Sequence, residues 1–200
     1  SNAQQMIVKY EYDKQRTVVD SSRVTGMYFL SIDQEKSFFF SEAEYISDSI
    51  VHHAKENGKR PDFKSLPDDL LESFITKHRN EKSITFYSNG FMENEFEYTE
   101  IPDFKWEITK ETKNILGYKT IMAIGTYAGR DYKAYFTDEI PIAEGPYKFF
   151  GLPGLILEIG DTENLHHFIV KGLELAKTQK TVDLTKTKFV KTTRRKYFEL

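Results

Sequence analysis

The sequence predicts a mainly β fold of the α+β class. In it, a strongly curved, mostly antiparallel sheet or half-barrel carries about two helices inserted between strands. Strand-like segments dominate the 200-residue chain, and residues 6–12 and 91–98 alternate side chains between two faces with a period of two, which is typical of half-buried strands. The pair Asn89-Gly90 lies between two such segments and favours a tight hairpin turn. Two other windows show helical spacing beside capping residues. A two-sheet β-sandwich is the alternative arrangement of the same elements.

The strands can be placed from the alternation. In residues 6–12, Val8, Tyr10 and Tyr12 share one face and polar residues share the other. The hairpin at Asn89-Gly90 joins residues 83–87 to residues 91–98. The remaining strands, which bring the total to about ten, are predicted over residues 23–32, 36–41, 105–110, 118–127, 131–137, 155–159 and 166–173.

Two helices are predicted from caps and spacing. Ser41 followed by Glu44 is a capping-box signature, and the helix that it starts runs to about Asn57 and ends at Gly58. A second helix is predicted from Pro67, because proline suits the first turn and two acidic residues follow it. Its buried stripe would be Leu70, Leu71, Phe74 and Ile75. We expect both helices on the concave side of the sheet or across one end.

The connection over residues 139–158 is rich in conformationally restricted residues. It holds three of the six prolines, at 141, 146 and 153, and three glycines. Because proline fixes φ and glycine admits positive φ, the composition predicts a stiff, bent connection. Pro153-Gly154 fits the centre of a type II turn, with positive φ at Gly154, before a buried strand. The predicted structural residues are Gly145, Pro146, Gly151, Pro153 and Gly154.

The same connection resembles a known family. Gly151-Leu-Pro-Gly-Leu-Ile156 is the hexapeptide after which the GLPGLI family is named, and residues 115–118, 135–141 and 145–149 also resemble its pattern. Members are exported proteins of Gram-negative bacteria, usually made with a signal peptide, and their biochemical role is unassigned. The resemblance implies a periplasmic or cell-envelope location and supplies no catalytic residues. Many members carry a cysteine soon after the Gly-Tyr pair, where this chain has Thr120, so no redox or metal role is carried over.

Composition sets the broad class. Ser1-Asn2-Ala3 matches the remnant that tag cleavage leaves, so we expect one GLPGLI-type domain over residues 4–200, with its signal peptide removed. A net charge of −3 gives no basic field for nucleic acid. No apolar run reaches the roughly 18–20 residues that span a bilayer. The absence of cysteine excludes thiolate chemistry and cysteine-ligated metals, and we expect neither a cofactor nor a metal.

The function predicted is non-enzymatic binding. The aromatic connection, if exposed, forms an apolar patch of the kind that marks a binding site for a partner protein of the envelope or an apolar small molecule. The candidate binding residues are Tyr147, Lys148, Phe149, Phe150, Leu152, Pro153 and Leu155. One alternative is a hydrolase that uses Asp138, Glu139 or Glu144, and another is a structural accessory of an outer-membrane assembly. The sequence does not predict an oligomeric state.

Overall fold

Twelve strands and two helices make up the part of the chain that the structure, a computed structural model, describes. The described residues are 5–17, 19–88, 95–176, 180, 182 and 188–199. The strands are β1 Gln5–Gln15, β2 Arg23–Ile32, β3 Lys36–Ser41, β4 Ser73–His78, β5 Ser83–Ser88, β6 Glu95–Glu100, β7 Glu107–Ile115, β8 Tyr118–Tyr127, β9 Arg130–Thr137, β10 Leu155–Asp161, β11 His166–Ala176 and β12 Phe189–Lys191, and the helices are α1 Glu42–Glu56 and α2 Arg194–Tyr197. The predicted mainly β class is confirmed.

The strands form one sheet in the order β12-β6-β5-β4-β3-β2-β1-β11-β10-β9-β8-β7. All neighbours are antiparallel except β12, which runs parallel to β6. Since β12 and β7 are the two ends of this order, the described sheet is open and is not closed into a barrel. Because the described strands form one sheet, the alternative prediction of a two-sheet sandwich is excluded. The predicted turn at Asn89-Gly90 lies outside the described residues, although β5 and β6 pair as the hairpin requires.

The sheet curves strongly. Nine strand spacings separate β6 from β8, which is roughly 43 Å in a flat sheet with strands ~4.8 Å apart. Yet the Tyr127 hydroxyl at the end of β8 donates a hydrogen bond of 2.7 Å to Glu100 Oε1 at the end of β6. The two halves of the sheet therefore turn toward one another, and their facing side chains form the large core on what we call the concave face. Val8, Tyr10 and Tyr12 lie in that core, as their alternation predicts.

Helix α1 confirms the first helix prediction in extent but not in position. The Ser41 hydroxyl caps the helix by accepting from Glu44 N at 3.0 Å, and Gly58 lies just beyond its end with φ 62°. Tyr45 packs against Phe29 and Phe40, which belong to a smaller core cluster. Phe29 alternates with concave-face residues of β2, so α1 lies on the convex face. The expectation that it would lie on the concave side or across one end is wrong.

The second predicted helix is also wrong. Residues 73–78 form β4, a central strand between β3 and β5. Phe74 and Ile75 are both fully buried because the two faces of β4 meet the two core clusters. Strands buried on both faces give near-continuous apolar runs, which resemble helical spacing over a short window. The second helix observed, α2, follows β12 and so is not inserted between strands. No helix in the described ranges is long and apolar enough to cross a bilayer.

Candidate functional site

The connection between β9 and β10, residues 138–154, lies against the concave face, and we call it the motif loop. It contains no helix or strand, in line with its proline and glycine content. Ile140, Phe149 and Leu152 are buried in the large core. The loop is held to the start of β10 by hydrogen bonds from Leu155 N to Ile140 O at 3.0 Å and from Ile156 N to Glu144 O at 2.9 Å. The loop is therefore part of the core rather than a surface excursion.

Gly151 and Gly154 of the motif loop have backbone roles that differ from the prediction. Positive φ occurs at Gly151, with φ 96°, and not at Gly154, so the predicted conformation of Gly154 is wrong. Gly154 is required for a different reason: a Cβ built there would lie 2.0 Å from Thr137 O. The backbones of the loop end and of β9 pass too closely for any side chain. Pro153 restricts the backbone of the residue before it, Leu152, but it does not fix the sign of φ at Gly154, the residue after it.

Two buried lysines pin the motif loop to the sheet. Lys77 on β4 lies 3.1 Å from Glu144 Oε2 and donates to the carbonyl oxygens of Phe149, at 3.2 Å, and Gly145. Lys148 donates to the Tyr98 hydroxyl at 2.6 Å and lies 3.1 Å from Glu100 Oε1.

The environment of these lysines decides their role. Both side chains are only 3% exposed, and burial lowers the pKa of each amine. Lys148, a predicted binding residue, is therefore an internal anchor of the loop.

A cavity of about 320 Å³ lies between the motif loop and the concave face. Its walls are mainly aromatic, with a few polar groups at one end. The lining residues are Tyr12, Leu71, Tyr127, Arg130, Tyr132, Tyr147, Phe149, Ile159, Gly160, His166, Phe168 and Phe198. Tyr147 stacks on Phe168 with ring centroids 6.2 Å apart and planes 15° apart, and Tyr132 lies 4.7 Å from Phe149. Flat ring faces thus bound the space from the loop side and the sheet side.

The polar end of the cavity is built by β1, β9 and the turn into β11. The Tyr12 hydroxyl lies 2.6 Å from His166 Nδ1. Arg130 Nη1 donates to Asp161 Oδ2 at 2.9 Å, while Asp161 Oδ1 accepts from Leu165 N and His166 N at 2.7 and 2.9 Å. Burial is the main cause that lowers the pKa of His166 and raises that of Tyr12. Both groups are therefore neutral near pH 7 and can exchange hydrogen bonds with a ligand.

The structure separates the predicted binding residues. Tyr147 and Phe149 line the cavity. Lys148, Leu152 and Leu155 are buried, and Pro153 is exposed away from it. Phe150 lines a separate groove of about 660 Å³, where Trp106 Nε1 donates to its carbonyl oxygen at 3.0 Å.

The cavity residues that sequence reasoning missed lie far apart in the chain, namely Tyr12, Arg130, His166 and Phe168. Alternation in β1 places Tyr12 on the core face, but only the pairing of β1 with β11 sets it opposite Phe168. That register is a long-range property that local patterning does not contain.

The three acids of the hydrolase alternative lie in different environments. Asp138 and Glu139 are exposed, and Glu139 accepts from Lys119 N at 2.9 Å. Glu144 is buried and paired with Lys77, with Arg79 Nη1 3.5 Å from its Oε1. Glu144, which is buried beside two cations, therefore lies in a different environment from the exposed Asp138 and Glu139. Within the described ranges, no three His, Asp or Glu side chains converge as metal ligands would.

The fold and site together define an open, curved β-sheet with a concave aromatic cavity. Residues 127–158, which span the motif loop, match a family described as a protein of unknown function, Porph_ging. No curated protein matches the chain.

The fold is similar to that of PNGF-II, solved in the P21 and C2 space groups. The TM-scores are 0.67 and 0.66, with 13% and 14% identity, over 98% of this chain. The aligned regions cover 33% and 32% of PNGF-II, so the chain spans about a third of that protein. At this identity the similarity shows the fold alone.

Proposed function

We propose that this protein is a non-enzymatic binding protein of the bacterial cell envelope, and that its concave cavity takes a small apolar molecule. The observation that carries the proposal is the aromatic cavity under the motif loop. Ligand sites are typically concave and mostly apolar, with a few polar groups that fix orientation. The envelope location rests on the resemblance of residues 115–156 to the exported GLPGLI family.

The size of the cavity indicates the size of the ligand. An apolar cavity of ~150 Å³ is known to hold benzene. At about 320 Å³, this cavity has roughly twice that volume. It therefore suits a body of about two rings, and the nearly parallel rings of Tyr147 and Phe168, which stack on one another, give it a flat aromatic wall.

The concave shape favours a small molecule over a partner protein as the occupant of this site. A partner protein would need a broad surface on which to dock, whereas about half of the residues of the motif loop are buried in the core. Among the binding candidates in the loop, Lys148 and Leu152 are almost fully buried. Glu144 is buried and paired with Lys77, whereas Asp138 and Glu139 are exposed, so the three acids of the hydrolase alternative do not share one environment.

The proposal can be tested with the neutral dye N-phenyl-1-naphthylamine, in which a naphthalene of two fused rings carries a phenylamino group and whose fluorescence rises in apolar surroundings. Leu71 is half-buried at the edge of the cavity, so Leu71→Trp narrows the space with little disturbance of the core. Leu175 is 61% exposed on β11 and does not line the cavity, so Leu175→Trp is the matched control.

We expect the wild-type protein to bind one dye per chain with saturation. Leu71→Trp should weaken the affinity at least about tenfold, and Leu175→Trp should leave it unchanged. No saturable binding by the wild-type protein, or equal affinity in both variants, would overturn the proposal.

A further inference from the structure

We propose that the ligand of the cavity is a small organic anion, in which an apolar body carries one acidic group held by Arg130 and His166. This inference rests on the proposed binding function and adds the chemical class of the ligand. The acidic group can be a carboxylate or a sulfonate, since both offer the same acceptor oxygens to a guanidinium.

Arg130 has the position for this task and, within the described part of the chain, side-chain donors beyond the one that binds Asp161. It begins β9, lines the cavity and has a side chain that is 41% exposed. Guanidinium carries five N–H donors in a planar fork, and Asp161 Oδ2 takes one of them through Nη1. The Asp161 side chain, only 1% exposed, holds the fork in place through this pair and through its bonds to the backbone of residues 165 and 166. The cation is thus fixed in direction before a ligand arrives.

The charged groups that act on His166 are mostly cations. The charged groups that act on His166 are Asp161, which raises its pKa, and Arg130, Lys14 and Arg23, which lower it. Arg23 is paired with Asp13 at 2.6 Å, whereas Lys14 donates to the Leu70 carbonyl oxygen at 3.1 Å. Three cations and one carboxylate thus act on His166, while Glu100 and Arg194 act on the cavity wall at Tyr147. An anionic ligand is favoured by that balance, and a cationic one is not.

The other walls fit the apolar body. Tyr12 stacks on Phe168 with ring centroids 4.4 Å apart, and Tyr147 stacks on Phe168 at 6.2 Å, so the three rings form a continuous aromatic wall. The Tyr12 hydroxyl, 2.6 Å from His166 Nδ1, lies where the aromatic wall meets the polar end. A ligand whose ring stacks on these side chains can place an acidic group beside Arg130 and His166.

Two dyes with the same ring system test the inference. 1-Anilinonaphthalene-8-sulfonate carries a sulfonate, and N-phenyl-1-naphthylamine is the same body without it. Because hydrogen bonds to charged groups contribute about 1.5–3 kcal/mol, we expect the wild-type protein to bind the sulfonate dye about 10- to 100-fold more tightly. Rising salt should weaken the binding of the sulfonate dye and leave the binding of the neutral dye unchanged.

The variants Arg130→Gln and Arg130→Lys test whether Arg130 causes the preference for the sulfonate dye. Arg130→Gln should lose most of the preference for the sulfonate dye, and its binding of the neutral dye reports whether the cavity is intact. Arg130→Lys keeps the charge and should retain part of the preference. Equal binding of the two dyes by the wild-type protein, or equal weakening of both dyes by Arg130→Gln, would overturn the inference. If neither dye binds, the proposed function itself fails.

Discussion

Replacing Gly154 by alanine should destabilise the protein, because two backbone segments pass too closely for a methyl group. An added Cβ would lie 2.0 Å from Thr137 O and 2.7 Å from Thr137 C, whereas real Cβ atoms essentially never approach another atom within 3.0 Å. The motif loop and β9 must therefore separate by at least about 1 Å. Both obstructing atoms belong to the backbone, so no rotation of a side chain can relieve the overlap.

The size of the effect follows from what this separation breaks. Leu155 pairs with Thr137 at the start of the β9–β10 ladder, and its N–H donates to Ile140 O at 3.0 Å. Overpacking of a core costs about 1–3 kcal/mol, and one lost hydrogen bond costs ~1 kcal/mol. We therefore expect Gly154→Ala to lower the free energy of unfolding by about 2–4 kcal/mol.

Urea unfolding followed by circular dichroism measures this change. With an m-value of ~2 kcal/mol/M, the midpoint should fall by about 1–2 M. Gly172 on β11 is the matched control, because a Cβ there meets nothing within 4 Å. Gly172→Ala should stay within about 0.5 kcal/mol of wild type. If the two variants unfold at the same urea concentration, the close approach at Gly154 is refuted.

Two further predictions concern buried charge and pH. Glu100→Gln removes the anion beside Lys148, which is 3% exposed, and should cost about 3 kcal/mol. The double variant with Lys148→Met should recover most of that loss in urea unfolding. Burial lowers the pKa of His166 below its usual 6.5, so the unfolded chain takes up this proton first and stability falls as the pH drops below about 6.5. His166→Gln should reduce that dependence, whereas the exposed His52→Gln should preserve it. The first prediction would be contradicted if the double variant were no more stable than Glu100→Gln. The second would be contradicted if His166→Gln and His52→Gln showed the same dependence of stability on pH.

Local patterning predicted those elements whose signals are local. Alternation placed Val8, Tyr10 and Tyr12 in the core, and the Ser41 cap marked the start of α1. It failed over residues 67–75, because burial of β4 on both faces removes the alternation that distinguishes a strand from a helix. Asp69, which was expected in the first turn of a helix, instead accepts hydrogen bonds from Leu71 N and Glu72 N in the turn that precedes β4.

The candidate site was predicted only in part, since the cavity is assembled by tertiary structure. The motif loop contributes Tyr147 and Phe149, which its aromatic composition indicated. Arg130 and His166 reach the same cavity because β9, β10 and β11 are neighbours in the sheet. The burial of Lys148 could not be predicted for the same reason: its partners Tyr98 and Glu100 come from β6, and curvature alone brings that strand to the loop. Strand order and curvature depend on pairing between distant segments, so no single window of the sequence predicts them.

The most direct test of the proposed site is a crystal structure of the protein with N-phenyl-1-naphthylamine bound. We predict that the naphthalene ring lies in the concave cavity, in contact with Tyr147 and Phe168. A dye that binds on another surface, or a cavity that Tyr147 fills by itself, would contradict the proposal.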